Sequence, residues 1–211
     1  EMSDDVKENS DRETSPQKSS SEWTNASILF EEREKAFGCI RELVVERQNG
    51  NYLVNDQALE DLRAIFDKYL EVPSLLDHHI VELVSTLTDE ACSILARKAT
   101  INDEEKTETA KENENENENS TNDHDWFWKS PLPRILSALY ALSKVRGRKR
   151  VQKFLPHQVE NLEPVLNCLI LLDALAKQQL EARGKDFDIR EQGAIVGGPQ
   201  LWESTYTIWN W

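Results

Sequence analysis

No run in this sequence approaches the roughly 20 consecutive apolar residues that span a bilayer. The opening Glu1-Met2-Ser3-Asp4-Asp5 is too acidic for a signal or transit peptide. A cytoplasmic chain without a membrane span is expected, and the sequons at Asn25-Ala26-Ser27 and Asn119-Ser120-Thr121 read as chance matches. Cysteine is scarce and odd in number. Cys39, Cys92 and Cys168 show no C-x-x-C spacing and have no histidine pair nearby, so a disulfide framework is not expected. All three lie in apolar stretches, where a free thiol packs as a small core residue, which fits a reducing compartment. Catalytic signatures are missing too. There is no G-x-S-x-G, and Gly197-Gly198-Pro199 lacks the strand before it and the Gly-Lys-Ser/Thr after it that a phosphate loop requires.

The formal charge of −14 is unevenly placed. Residues 1–22 carry seven acids against three bases, and residues 101–125 carry ten against two. The rest is close to neutral, which leaves no overall electrostatic footprint for nucleic acid. The first of these segments is Ser, Asp, Glu and Lys with little that can be buried, and residues 1–26 are expected to form a disordered acidic arm. The second alternates Glu and Asn with no apolar member to pack, and 101–125 is expected to be a structureless insertion.

Between and beyond them the apolar residues recur at helical spacing. Leu29, Ala36, Phe37, Ile40, Leu43 and Val44 form a first stripe, expected to stop near Asn49-Gly50. Asn55 has the character of an N-cap for a second stripe of Leu59, Leu62, Ile65, Phe66 and Tyr69, ended by Pro73. Ser74 is expected to cap a third, Leu76 through Leu95. Ser130-Pro131 opens a fourth, Leu132 to Val145, and Gly147 stops it. A short amphipathic turn of Val151, Phe154 and Leu155 follows, broken by Pro156. Another helix is expected from Glu163-Pro164 to Gly184, burying Val165, Leu166, Leu169, Ile170, Leu172 and Leu175. Lys185 to Pro199 reads as loop. Leu201 to Trp211 is aromatic and apolar, and is expected to belong to an element interrupted at that point. Successive amphipathic helices joined by short Pro or Gly turns, with no fixed-period repeat, predict an all-α, HEAT/armadillo-like helical-repeat solenoid over 27–211.

One cluster carries real charge density: Lys144, Arg146, Arg148, Lys149, Arg150 and Lys153 surround a glycine turn. Such a patch can meet an acidic protein surface or nucleic acid. Its plainer reading has Lys144 and Arg146 complementing the helix C-terminal dipole, with the others solvated or neutralised by the acidic insertion. The histidines offer less. His78 and His79 point about 100° apart on a helix and do not converge on a metal. His124 sits in the acidic insertion, and His157 is a turn residue. Trp126 and Trp128 read as core anchors before the fourth helix. The acids of 103–118 cannot hold the fixed geometry that acid–base catalysis needs. No catalytic, cofactor or metal site is expected.

Three stretches are more specific. Lys144-Val145-Arg146-Gly147-Arg148-Lys149 through Phe154-Leu155-Pro156-His157-Gln158-Val159-Glu160-Asn161-Leu162-Glu163-Pro164-Val165-Leu166 closely resembles the KVRGYK…LFPHEV.D.EPVL stretch of the tubulin-folding cofactor D family. Leu70-Glu71-Val72-Pro73-Ser74-Leu75-Leu76-Asp77 is similar to that family's Y…P.LLD.H segment, and Trp202-Glu203-Ser204-Thr205-Tyr206 to its WETRY motif. Order and approximate spacing agree over about residues 28–211. Arg148 replaces Tyr, Gln158 replaces Glu and Thr205 replaces Arg, while Thr207 to Trp211 stand where the family has a Leu-rich helix continuation. The resemblance implies the N-terminal region of a long HEAT/armadillo solenoid that takes β-tubulin in the post-chaperonin pathway. It further implies partnership with cofactors C and E and an Arf-like small GTPase, and stimulation, with cofactor C, of GTP hydrolysis by tubulin. None of the family's catalytic residues maps here, because that GTP is bound by tubulin. A transport or trafficking adaptor shares the architecture but not the cargo.

Overall fold

A computed structural model of the chain describes residues 30–46, 52–109, 125–182 and 198–211. The expected arm at 1–26 lies outside them, as do most of the expected insertion and most of the loop from Lys185. Helix α1, Arg33–Leu43, buries Ala36, Phe37, Cys39, Ile40 and Leu43. It ends earlier than the stripe suggests. Val45–Glu46 (β1) instead pairs antiparallel with Tyr52–Leu53 (β2), Val45 opposite Leu53 and Glu46 opposite Tyr52, because β-branched Val44-Val45 and an aromatic favour extended backbone over a further helical turn.

Helix α2, Asp56–Asp67, opens as expected: the Asn55 side chain accepts from the Ala58 amide at 3.1 Å. Leu59, Leu62, Ile65 and Phe66 are buried on one side. The helix ends at Asp67, ahead of Pro73, and Pro73–Leu76 forms a tight 3₁₀ turn. Ser74 therefore sits inside that turn and caps nothing; α3, Ile80–Thr109, starts after it. Ile80, Leu83, Val84, Leu87, Ala91, Ile94 and Leu95 make its buried stripe. At 1.5 Å per residue α3 is about 45 Å long. Its backbone stays helical beyond residue 100, into the segment read as structureless, because Glu and Lys extend a rod whose nucleation has already been met upstream. Residues 110–124 lie outside the described set.

A helical turn at 125–129 inserts Phe127, fully buried, between the half-buried Trp126 and Trp128. Ser130 does not cap the next helix. Its hydroxyl donates to the Phe127 carbonyl at 2.8 Å, and Pro131 takes the N-cap position. Helix α4, Leu132–Arg146, is enclosed on nearly every side, burying Leu132, Ile135, Leu136, Ala138, Leu139, Leu142 and others. It packs against α2 and α3 and stands at the centre of the molecule. Gly147 ends it with φ +93°, and α5, Arg148–Gln152, follows at once.

Helix α6 runs Val159–Ala182, with Pro164 inside it. It begins before the expected Glu163-Pro164 start, at the cost of the one backbone bond that Pro164 cannot donate. Cys168, Leu172 and Leu175 face the core, whereas Leu166 and Ile170, expected inside, are 51% and 60% exposed. The helix carries two apolar faces, and periodicity alone does not say which one this chain covers. Helix α7, Leu201–Asn210, is held by a reciprocal capping box between Gln200 and Glu203. Thr207 donates to the Leu136 carbonyl of α4 at 2.9 Å, and Trp211 Nε1 donates to the Pro156 carbonyl at 3.0 Å. These residues thus form a helix laid against both α4 and α6. Among the described residues no helix is long and apolar enough to cross a membrane.

Candidate protein-docking site

The six bases singled out by the sequence come together at the α4–α5 corner, but they do not act as one patch. Gly147 makes the corner. Its φ of +93° and ψ of 132° suit a residue without Cβ, and its carbonyl accepts from the Arg150 amide at 3.0 Å. Val151 and Leu155, both buried, pin α5 to the core. Three bases then turn back on the fold. Lys144 Nζ lies 3.2 Å from Asp67 Oδ1 at the end of α2. Arg146 grips Asp77 through Nε and Nη2, one nitrogen to each carboxylate oxygen, the two-point geometry a guanidinium favours. Arg150 Nε approaches the same Asp77 at 3.6 Å.

Electrostatics follow this arrangement. The Arg146 hydrogen bonds hold the Asp77 carboxyl below the usual carboxylate range, against a burial effect of opposite sign, and the charges of Arg146 and Arg150 add to the lowering. Arg146 is raised in return. Arg148, Lys149 and Lys153 remain: all are exposed, and none has an ion pair among the described residues. The charge that the corner leaves exposed to solvent is therefore three cations, Arg148 and Lys149 on α5 and Lys153 at its C-cap. Lys144 and Arg146 do lie at the helix terminus, where their charge complements the dipole, yet each also bridges to another element. Asp67 and Asp77 carried no local signal as partners, because each reaches a base about seventy positions away.

The other sequence candidates disperse. His78 is exposed, while His79 packs on Phe30 with ring centroids 5.7 Å apart; burial first, and then Arg33, lowers its pKa. His157 is exposed, and His124 lies outside the described residues. Among the described residues no group of three or more His, Cys, Asp or Glu side chains could hold a metal ion. Trp126 and Trp128 pack against the core, and Lys98 Nζ stands over the Trp126 ring at 5.3 Å. A cleft there, lined by Leu95, Lys98, Trp126, Pro164 and Cys168, holds no activated nucleophile. Burial pushes the Cys168 thiol up to about 12, and that of Cys92 up to about 11, so both stay protonated and inert near neutrality.

Successive amphipathic helices layered about a buried central one, with no metal-binding cluster among the described residues, define an armadillo-type helical-repeat protein. Residues 66–211 match the family model described as tubulin-specific chaperone D-like, ARM repeat, and the chain belongs to that family. No curated protein and no solved structure matches it.

Proposed function

We propose that this chain acts in the post-chaperonin tubulin-folding pathway by binding β-tubulin, together with cofactors C and E and an Arf-like small GTPase. In this reading it promotes GTP hydrolysis by tubulin only in company with cofactor C, has no catalytic site of its own, and works in the cytoplasm and at microtubules. The match of residues 66–211 to the tubulin-specific chaperone D-like family carries the reading. The exposed α5 cations add a contact suited to an acidic client, since charge complementarity speeds encounter and fixes register. Co-purification of the chain with purified tubulin tests it, beside the triple reversal R148E/K149E/K153E. The expected result is capture by the parent chain that weakens about tenfold or more in the variant and falls with salt. Equal capture by both removes α5 from the interface. Failure to hold tubulin at all, with retention of a transport receptor or vesicle adaptor instead, overturns the reading in favour of a generic helical scaffold.

A further inference from the structure

We infer that α6 pairs with the α6 of a second copy of this chain, antiparallel about a two-fold axis near Ile170, through the apolar face that its own fold leaves bare. The contact is independent of the tubulin reading and of the α5 cations.

Burial comes first. Cys168, Leu172 and Leu175 turn one side of α6 toward α3 and α7. At about 100° per residue, Val159, Leu162, Leu166 and Ile170 fall within about 80° of one another on the opposite side. Each of the four is more than half exposed, and so is Leu180 farther along the same stripe. A helix that is apolar on two opposite sides is suited to being covered on both. The described residues leave the second side open.

Area comes next. Val159 through Ile170 present on the order of 500 Å² of apolar surface, near the upper end of what the largest patch on a monomer carries. With Ala174, Leu180 and the charged rim, the face approaches the roughly 600–800 Å² per partner of a specific interface. That is enough for a dimer of moderate affinity.

The charge layout selects a second copy, and selects its direction. Full antiparallel overlap of Val159–Ala182 puts the midpoint beside Ile170. In that register Ile170 meets the second copy's Ile170, and Leu166 meets its Ala174, large against small. Glu163 then meets the second copy's Lys177, and by symmetry the pair forms twice. Lys177 Nζ already lies 2.7 Å from Asp173 Oδ2 on its own helix, but an ammonium has three donors and a second carboxylate can share it. A parallel pairing in register sets Glu163 against Glu163 and Lys177 against Lys177, like charge against like.

Sedimentation equilibrium tests this on the full chain. Between about 1 and 100 μM a monomer–dimer equilibrium is expected, with a dissociation constant on the order of 10 μM. The variant L166D/I170D, changed at two exposed positions outside the core, is expected to stay monomeric with unchanged helical circular dichroism. E163K and K177E are each expected to weaken the dimer about tenfold, and E163K/K177E to return it to within about threefold of the parent, because the reversed pair is again opposite in sign. The triple reversal R148E/K149E/K153E is expected to dimerise as the parent does. A parent that is monomeric at about 100 μM, a dimer that survives L166D/I170D, or a double reversal no better than the singles overturns the proposal. A monomeric parent whose capture of tubulin is lost in L166D/I170D also overturns it, and gives this face to the client. A dimer that fails to hold tubulin leaves the self-contact standing and removes the tubulin reading.

Discussion

Asp77, just after the 3₁₀ turn, receives both Nε and Nη2 of Arg146 across 69 residues of sequence, and so locks the corner that α5 leaves. Neither side chain is more than about a quarter exposed. Breaking such a pair from one side leaves the other charge poorly solvated.

Replacing Asp77 with Asn is expected to destabilise the fold by about 1–3 kcal/mol at neutral pH, read as a lowered urea midpoint. The pH dependence carries the sign. Because the folded carboxyl titrates below its unfolded value of about 4, its stabilisation is complete above that value and is lost as pH falls through the folded pKa. Between pH 5 and about pH 2 the parent is expected to lose this increment while the D77N variant shows no corresponding loss.

His79 gives a second, separate pH effect. Its folded pKa is depressed, by burial first and then by Arg33, so the unfolded state takes up the proton first as pH falls below about 6.5. Stability is expected to decline from pH 7.5 toward pH 5. The variant His79→Gln, which does not titrate, should flatten that part of the unfolding-midpoint profile.

At Gly147 a Cβ would meet nothing within 4 Å, yet φ is +93°. Gly147→Ala is thus expected to cost about 1–3 kcal/mol through backbone strain alone. Thermal unfolding measures it. A drop in Tm without loss of helical circular dichroism at low temperature is the expected signature.

The hydroxyls of Ser137 and Ser204, both fully buried, have no hydrogen-bond partner among the described residues. Removing either one, in S137A or S204A, is expected to be neutral or to raise stability by up to about 1–2 kcal/mol, the desolvation cost of an unpaired hydroxyl. A destabilised S204A by urea titration would contradict this.

The helices were legible where one face of a rod is buried. Leu59, Leu62, Ile65 and Phe66, or Ile80 through Leu95, repeat at the spacing that burial demands, and Asn55 and Gly147 punctuate them by local chemistry. Legibility failed where a long-range partner decides. Val44 continues the α1 stripe in sequence, but the next residue pairs with Leu53 instead. Ser130 has the form of a cap, yet its hydroxyl turns back to Phe127. Along α6, Leu166 and Leu172 are equally apolar, and only the position of α3 and α7 decides that Leu172 is inside. The basic cluster shows the same limit. Six bases in ten positions could be counted in advance; that three of them face Asp67 and Asp77 depends on how α2 and the 3₁₀ turn meet α4.

The hydrogen bonds that Thr207 and Trp211 send back to Leu136 and Pro156 impose an order on synthesis. While the ribosome still holds α7, the flank of α4 that it covers stands open, and Arg63 of α2 lacks Glu203. The earlier helices can associate during translation, but that flank is covered only once α7 has emerged, and a nascent chain stalled before residue 200 presents it to whatever is nearby.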